Sequence, residues 1–111
     1  MEPMRRIYGI GETVYDIIFK EGVPQAAKPG GSVLNAMISL GRTGLPVSFI
    51  GEYGMDDVGS LIDSFLRENG VDTSSVYRYP DANTSLAIAF LNEKNDAHYT
   101  FYKEKPGKRL E

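Results

Sequence analysis

The sequence predicts an α/β fold: strand, helix, strand, helix, then a β-hairpin that adds a flap to the sheet. Three observations predict it. Val47–Ile50 is a short, unbroken apolar run, as a strand buried on both faces requires. Val58, Leu61, Ile62, Phe65 and Leu66 keep the i, i+3, i+4, i+7, i+8 spacing of an amphipathic helix. Residues 84–91 alternate, with Leu86, Ile88 and Phe90 on one face, and the aromatic-rich run Ala97–Tyr102 follows across a polar turn at residues 92–96.

The other elements follow in chain order. Ile7–Ile10 is short, apolar and β-branched, and Gly11 ends it; residues 14–19 read as its extended continuation. Residues 20–31 are rich in Gly, Pro, Ala and Lys and read as a loop or weak edge strands. Ser32 is placed to cap a helix whose packing side carries Val33, Leu34, Met37, Ile38 and Gly41. Gly44 would end that helix in the left-handed conformation. Gly41 weakens it unless close packing requires a glycine there. Residues 51–57 read as a turn; Asp56 or Asp57 caps the second helix, and Gly70 ends it.

With 111 residues the chain suffices for one small domain. A net charge of -3 gives no basic face for nucleic acid, which is not expected as a partner. The one basic cluster, Lys103, Lys105, Lys108 and Arg109, reads as a solvated tail. There is no cysteine, which excludes disulfides and thiolate metal sites, and the one histidine, His98, cannot build a zinc site alone. The apolar start is interrupted by Gly9, Gly11, Glu12 and Asp16, unlike a signal segment or a membrane span. No membrane association is expected, and the default location is the cytoplasm.

The sharpest motif is Gly30-Gly31-Ser32-Val33-Leu34-Asn35. Two glycines before a helix let the backbone approach a ligand, and the free N–H groups of the helix start favour oxygens. Asn35 lies one turn in, and its amide can both donate to and accept from a sugar hydroxyl. The bland alternative is an ordinary loop-to-helix junction. Asp16 stands in an apolar run, where a buried carboxylate must be paired or used. It can instead be an exposed alternate position on an edge strand.

Gly9-Ile10-Gly11 lacks the third glycine of a dinucleotide fingerprint, and no helix follows it, so it marks a ligand-facing strand end instead. The glycine-rich turn of residues 51–59 has no phosphate-binding lysine after it and reads as a helix-capping loop. Tyr99, Phe101 and Tyr102 can stack on a sugar ring, but aromatics on a hairpin more often serve a core or an interface.

Together these pieces resemble the PfkB carbohydrate kinases. Gly30, Gly31, Asn35, Gly44 and Gly54 stand at the spacing of that family's first signature. Residues 51–59 and then Glu68-Asn69-Gly70-Val71-Asp72 look like its continuation. Gly11-Glu12 followed by Asp16 resembles the opening strand of the fructokinase-like and 2-keto-3-deoxygluconate kinase-like branches. Val33 and Met37 depart from the signature, which prefers smaller residues there.

The resemblance implies that residues 1–111 are the N-terminal portion of a ribokinase-like, Rossmann-type sheet, with lid segments near 14–30 and 84–102. The half that binds the nucleotide and carries the catalytic base is absent from these residues. In the family, Asp16 and Asn35 would hold sugar hydroxyls, and Gly30 and Gly31 would contact the sugar and act as a lid hinge. The whole protein would use ATP and Mg²⁺, whereas this portion alone would bind neither and be inactive. The favoured sugar is fructose, with 2-keto-3-deoxygluconate and ribose as runners-up. A homodimer through lid strands or exposed sheet edges is expected. A stand-alone small-ligand-binding or regulatory module is the alternative, as is a chain that merely self-associates.

Overall fold

The computed structural model describes residues 5–104 and Pro106. Its strands are β1 (Ile7–Ile10), β2 (Val14–Lys20), β3 (Val23–Gly30), β4 (Val47–Ile50), β5 (Glu52–Gly54), β6 (Val71–Asp72), β7 (Tyr77–Tyr79), β8 (Leu86–Leu91) and β9 (Ala97–Tyr102). Helix α1 (Ser32–Arg42) precedes β4, and helix α2 (Asp57–Glu68) precedes β6.

Two main sheets and one two-stranded pair make up the strands of the fold. The core sheet is parallel, in the order β1-β4-β6, and a short parallel pair, β5-β7, continues beside it. Val47 and Phe49 of β4 are fully buried among Leu34, Met37, Ile38, Tyr53, Ile62, Leu66 and Val71. Each such side chain stabilises the fold by about 1.5–3 kcal/mol relative to exposure.

The second sheet has four strands in the order β3-β2-β8-β9. Its central pair, β2 and β8, is parallel, and β3 and β9 flank it antiparallel. This sheet forms the flap, and beside the β8–β9 hairpin it holds β2 and β3. Residues 14–19 do not continue β1; they belong to β2, in a different sheet. Residues 20–31 hold the full strand β3. It is an edge strand of its sheet, one of the two readings this stretch allows; residues 23–28 are exposed, and the strand is held by its backbone pairing with β2. Glu21 (φ 50°) and Gly22 (φ 79°) form the two-residue turn that joins β2 to β3, with both residues left-handed as such a hairpin needs.

The packing of α1 on β1 explains Gly9 and Gly11. A Cβ on Gly9 would stand 2.6 Å from the Met37 sulfur, and one on Gly11 would stand 2.7 Å from the Val33 Cβ. The Gly-x-Gly pair is therefore a packing device that admits the two large residues departing from the family signature. Gly41 has the same explanation, since a Cβ there would run into the backbone carbonyl of Asn69. Gly44 (φ 87°) and Gly70 (φ 80°) are left-handed at the two helix ends, as expected.

Other expectations are corrected. Ser32 is the first residue of α1 and does not cap it; Gly31 holds the cap position at φ 115°, and no side chain caps the helix. Residues 51–57 are not all turn, because β5 runs through them and pairs with β7. The buried stripe of α2 is Gly59, Ile62 and Leu66, while Leu61 is 53% exposed. Of the basic cluster, Lys103 is described, with its ammonium 5.5 Å from the Phe101 ring centre; Lys105, Lys108 and Arg109 lie outside the described residues. Among the described residues no helix is long and apolar enough to cross a membrane.

Candidate functional site

The chain crosses between core and flap at residues 11–13, 30–31 and 80–85, and leaves the flap strand β9 at residues 103–104. The first two crossings lie against each other. The Thr13 hydroxyl donates to the Gly30 carbonyl at 2.6 Å. A Cβ on Gly31 would stand 2.6 Å from the Glu12 carbonyl oxygen. Gly31 thus satisfies two demands that exclude a side chain, a left-handed φ and a backbone in contact with backbone.

Asp16 completes this corner. It lies on β2, and a Cβ on Gly30 would fall onto its carboxylate. The missing side chain of Gly30 is the space that the Asp16 carboxylate occupies. Asp16 is half-buried and accepts no hydrogen bond from the described residues. Burial pushes its carboxyl above the ordinary carboxylate value, while Lys28, paired with it across β3, acts in the opposite direction.

Helix α1 starts at the same corner. Its first turn holds no acidic residue, and its cap residue offers no side-chain acceptor. The leading N–H groups are therefore left to an oxygen ligand or to water. Asn35 follows one turn on, with its backbone N–H bonded to the Gly31 carbonyl at 3.0 Å. Its side chain is exposed and engages none of the described residues. The structure thus brings Asp16, Gly30 and Gly31 into contact, and ties Asn35 to them through the helix backbone. A carboxylate, an amide and a helix start are together suited to a neutral, hydroxyl-rich ligand.

Sheet register adds a second feature. Asp16 pairs with Ala87, which pairs with Phe101, so Asp16 and Phe101 share a face of the flap. Tyr99 stacks on Phe101 on that face, with ring centres 6.4 Å apart, and both rings are exposed. Tyr102 belongs to the opposite face by the same register. A separate cleft of about 190 Å³ is lined by Glu12, Thr13, Glu52, Tyr79, Ser85 and Lys103 among others; none of Asp16, Gly30, Gly31 or Asn35 lines it.

The glycine-rich turn before α2 is closed to a phosphate. The Gly59 N–H donates to Asp56, the Gly54 N–H donates to the Thr84 hydroxyl, and that hydroxyl donates to Asp56. No group of three or more metal-ligating side chains occurs among the described residues.

The pfkB family carbohydrate kinase model matches residues 4–107. The chain belongs to this family. Fructokinase-1 of Oryza sativa subsp. japonica is 32% identical over 91 residues, which are 82% of this chain and 28% of that protein. Fructokinase from Vibrio cholerae O395, solved in apo form, superposes with a TM-score of 0.82 at 25% identity, over 94% of this chain and 36% of that one. Fructokinase from Xylella fastidiosa with bound ATP gives 0.77 at 26%, over 91% and 34%. The chain therefore spans about a third of the length of these relatives, and its fold is the front of the ribokinase-like architecture.

Two structural features of this front escape sequence reading. Thr13 holds Gly30 with a hydroxyl that no motif flags. Asp56 is legible as a helix cap, but its bonds to Thr84 join residues 28 apart and leave no local pattern.

Proposed function

We propose that this chain is the sugar-binding front of an ATP-dependent carbohydrate kinase, which transfers the γ-phosphate of ATP to a sugar hydroxyl. One observation carries the proposal. The half-buried Asp16 carboxylate has no hydrogen-bond donor among the described residues, and it lies over Gly30 beside the open start of α1. A carboxylate so placed is completed by a ligand that brings donors, and adjacent sugar hydroxyls do so.

In this proposal Asp16 accepts from sugar hydroxyls, and Asn35 both donates and accepts. Gly30 and Gly31 let the sugar reach the backbone and serve as the hinge of the flap, which acts as a lid. Closing the lid over the sugar excludes water, which would otherwise compete for the phosphoryl group. A fructose-like sugar is favoured by Gly11-Glu12 and Asp16, and by the fructokinases among the relatives. ATP and Mg²⁺ act in the whole protein, at residues beyond this chain, as does the catalytic base. This chain alone binds neither and transfers no phosphate. The setting is cytoplasmic, neither nucleic acid nor membrane is a partner, and the protein is a homodimer through lid strands or sheet edges.

The test is ADP release by the complete protein with ATP, Mg²⁺ and a panel of sugars. Release that depends on fructose supports the proposal. Tight sugar binding without sugar-dependent ADP release would instead favour a binding or regulatory module.

A further inference from the structure

Strand β8 enters the lid through residues 83 and 84, and each of their peptide N–H groups meets a different carboxylate. The Asn83 N–H donates to Glu104 Oε2 at 3.0 Å, and the Asn83 side-chain amide donates to Oε1 of the same residue at 2.9 Å. The Thr84 N–H donates to Asp56 Oδ2 at 3.0 Å, and its hydroxyl donates to Asp56 Oδ1 at 2.5 Å. The two carboxylates thus hold adjacent peptide N–H groups of the segment that leads into β8.

They come from different parts of the fold. Asp56 caps α2 in the core, where it also accepts the Gly59 N–H at 3.1 Å. Glu104 follows β9 as the chain leaves the lid. The strand entering the lid is thus tied to the core on one side and to the segment leaving the lid on the other. Thr84 is buried, and its hydroxyl also accepts from the Gly54 N–H at 2.8 Å, so both its backbone N–H and its hydroxyl are engaged. Burial alone would raise the Asp56 carboxyl, but the hydrogen bonds from Thr84 and Gly59 outweigh it and hold the group below its ordinary value. The opposite root of the lid differs. There the tie is the neutral Thr13–Gly30 bond, and the chain passes through the two glycines.

We infer that Asp56 and Glu104 form a two-carboxylate clamp that sets the angle of the lid sheet against the core. They are positioning residues, acting through Asn83 and Thr84, and motion of the lid is left to the glycine root. This rests on the flap serving as the lid of a sugar kinase. The experiment below reads the clamp without sugar or ATP, so either idea can fail while the other stands.

The chain has no cysteine, so two can be introduced as spin-label sites, at Ser39 on α1 and Lys94 at the hairpin tip. Electron double resonance on the doubly labelled 111-residue chain, diluted into an excess of unlabelled chain so that only pairs within one chain are read, then gives the core-to-lid distance. With the clamp intact a single narrow distance is expected. Asp56→Ala and Glu104→Ala should each lose that narrow peak, while amide spectra of α1 and β4 stay unchanged. Thr84→Val should broaden the distance, and Thr84→Ser, which keeps the hydroxyl, should restore it. Should Asp56→Ala fail to fold, Glu104→Ala and Thr84→Val carry the test, because neither removes the α2 cap. Narrow distances in the variants that match the unsubstituted chain, with the core folded, would overturn the inference.

Discussion

The Asp16 carboxylate occupies the space that a side chain on Gly30 would fill. Two residues 14 apart in sequence thereby become one feature: the glycine makes room, and the carboxylate fills it. Gly30→Ala should force Asp16 out of position without breaking the strand pair. In the complete protein, its loss of fructose affinity should match that of Asp16→Ala. The double variant should lose no more than either single one, as expected of residues that share one role. Binding calorimetry checks this, and fully additive losses would separate the two residues.

The same corner predicts a trade between stability and function. Burial raises the Asp16 carboxyl in the folded chain above its unfolded value of 3.8. The folded state then holds its proton more tightly than the unfolded one. Ionisation therefore costs stability, and the cost grows as pH rises from the unfolded value through the folded one. Asp16→Asn should be more stable than the unsubstituted chain at neutral pH, and the difference should vanish below the ordinary carboxylate value. Urea denaturation at several pH values reads this directly. A variant less stable at neutral pH would mean that the attraction of Lys28 outweighs desolvation.

Gly9→Ala should destabilise by about 1–3 kcal/mol, because its methyl enters the space of the buried Met37 side chain. Met37→Ala should relieve that clash, so the double variant should cost less than the two single costs added. Thermal unfolding of the four forms checks it.

Much of this fold was legible because it is written in local patterns. β4, α1, α2 and the β8–β9 hairpin each announce themselves by hydrophobic period or turn residues. What was less legible lacks a local pattern. β3 has almost no apolar signal, so it reads equally as a loop or a weak edge strand, and it is held by the backbone ladder of β2. β6 and β7 are too short, at 2 and 3 residues, to show a period. Of the site, the two glycines, Asp16 and Asn35 could be picked out by residue type. Their mutual geometry could not, because it depends on β2 crossing beside the start of α1.

Strand β1 is an edge of the core sheet, and its Ile10 is 73% exposed. In the flap, Tyr99 and Phe101 are 60% and 59% exposed. Unpaired edges and uncovered aromatics favour association. Light scattering of this chain at micromolar concentration should give a mass above the 12.3 kDa of one chain. A monodisperse monomer with cooperative unfolding would show that these surfaces need no partner.

The most direct measurement is steady-state kinetics of the complete protein carrying Asp16→Ala or Asn35→Ala. Each substitution should lower kcat/KM for fructose by roughly 10- to 150-fold, the effect of losing about 1.5–3 kcal/mol from a hydrogen bond involving a charged or tightly held group. The KM for ATP should change little, because the proposal places the nucleotide away from Asp16 and Asn35. Unchanged fructose kinetics in both variants would contradict the assignment of Asp16 and Asn35 to the sugar.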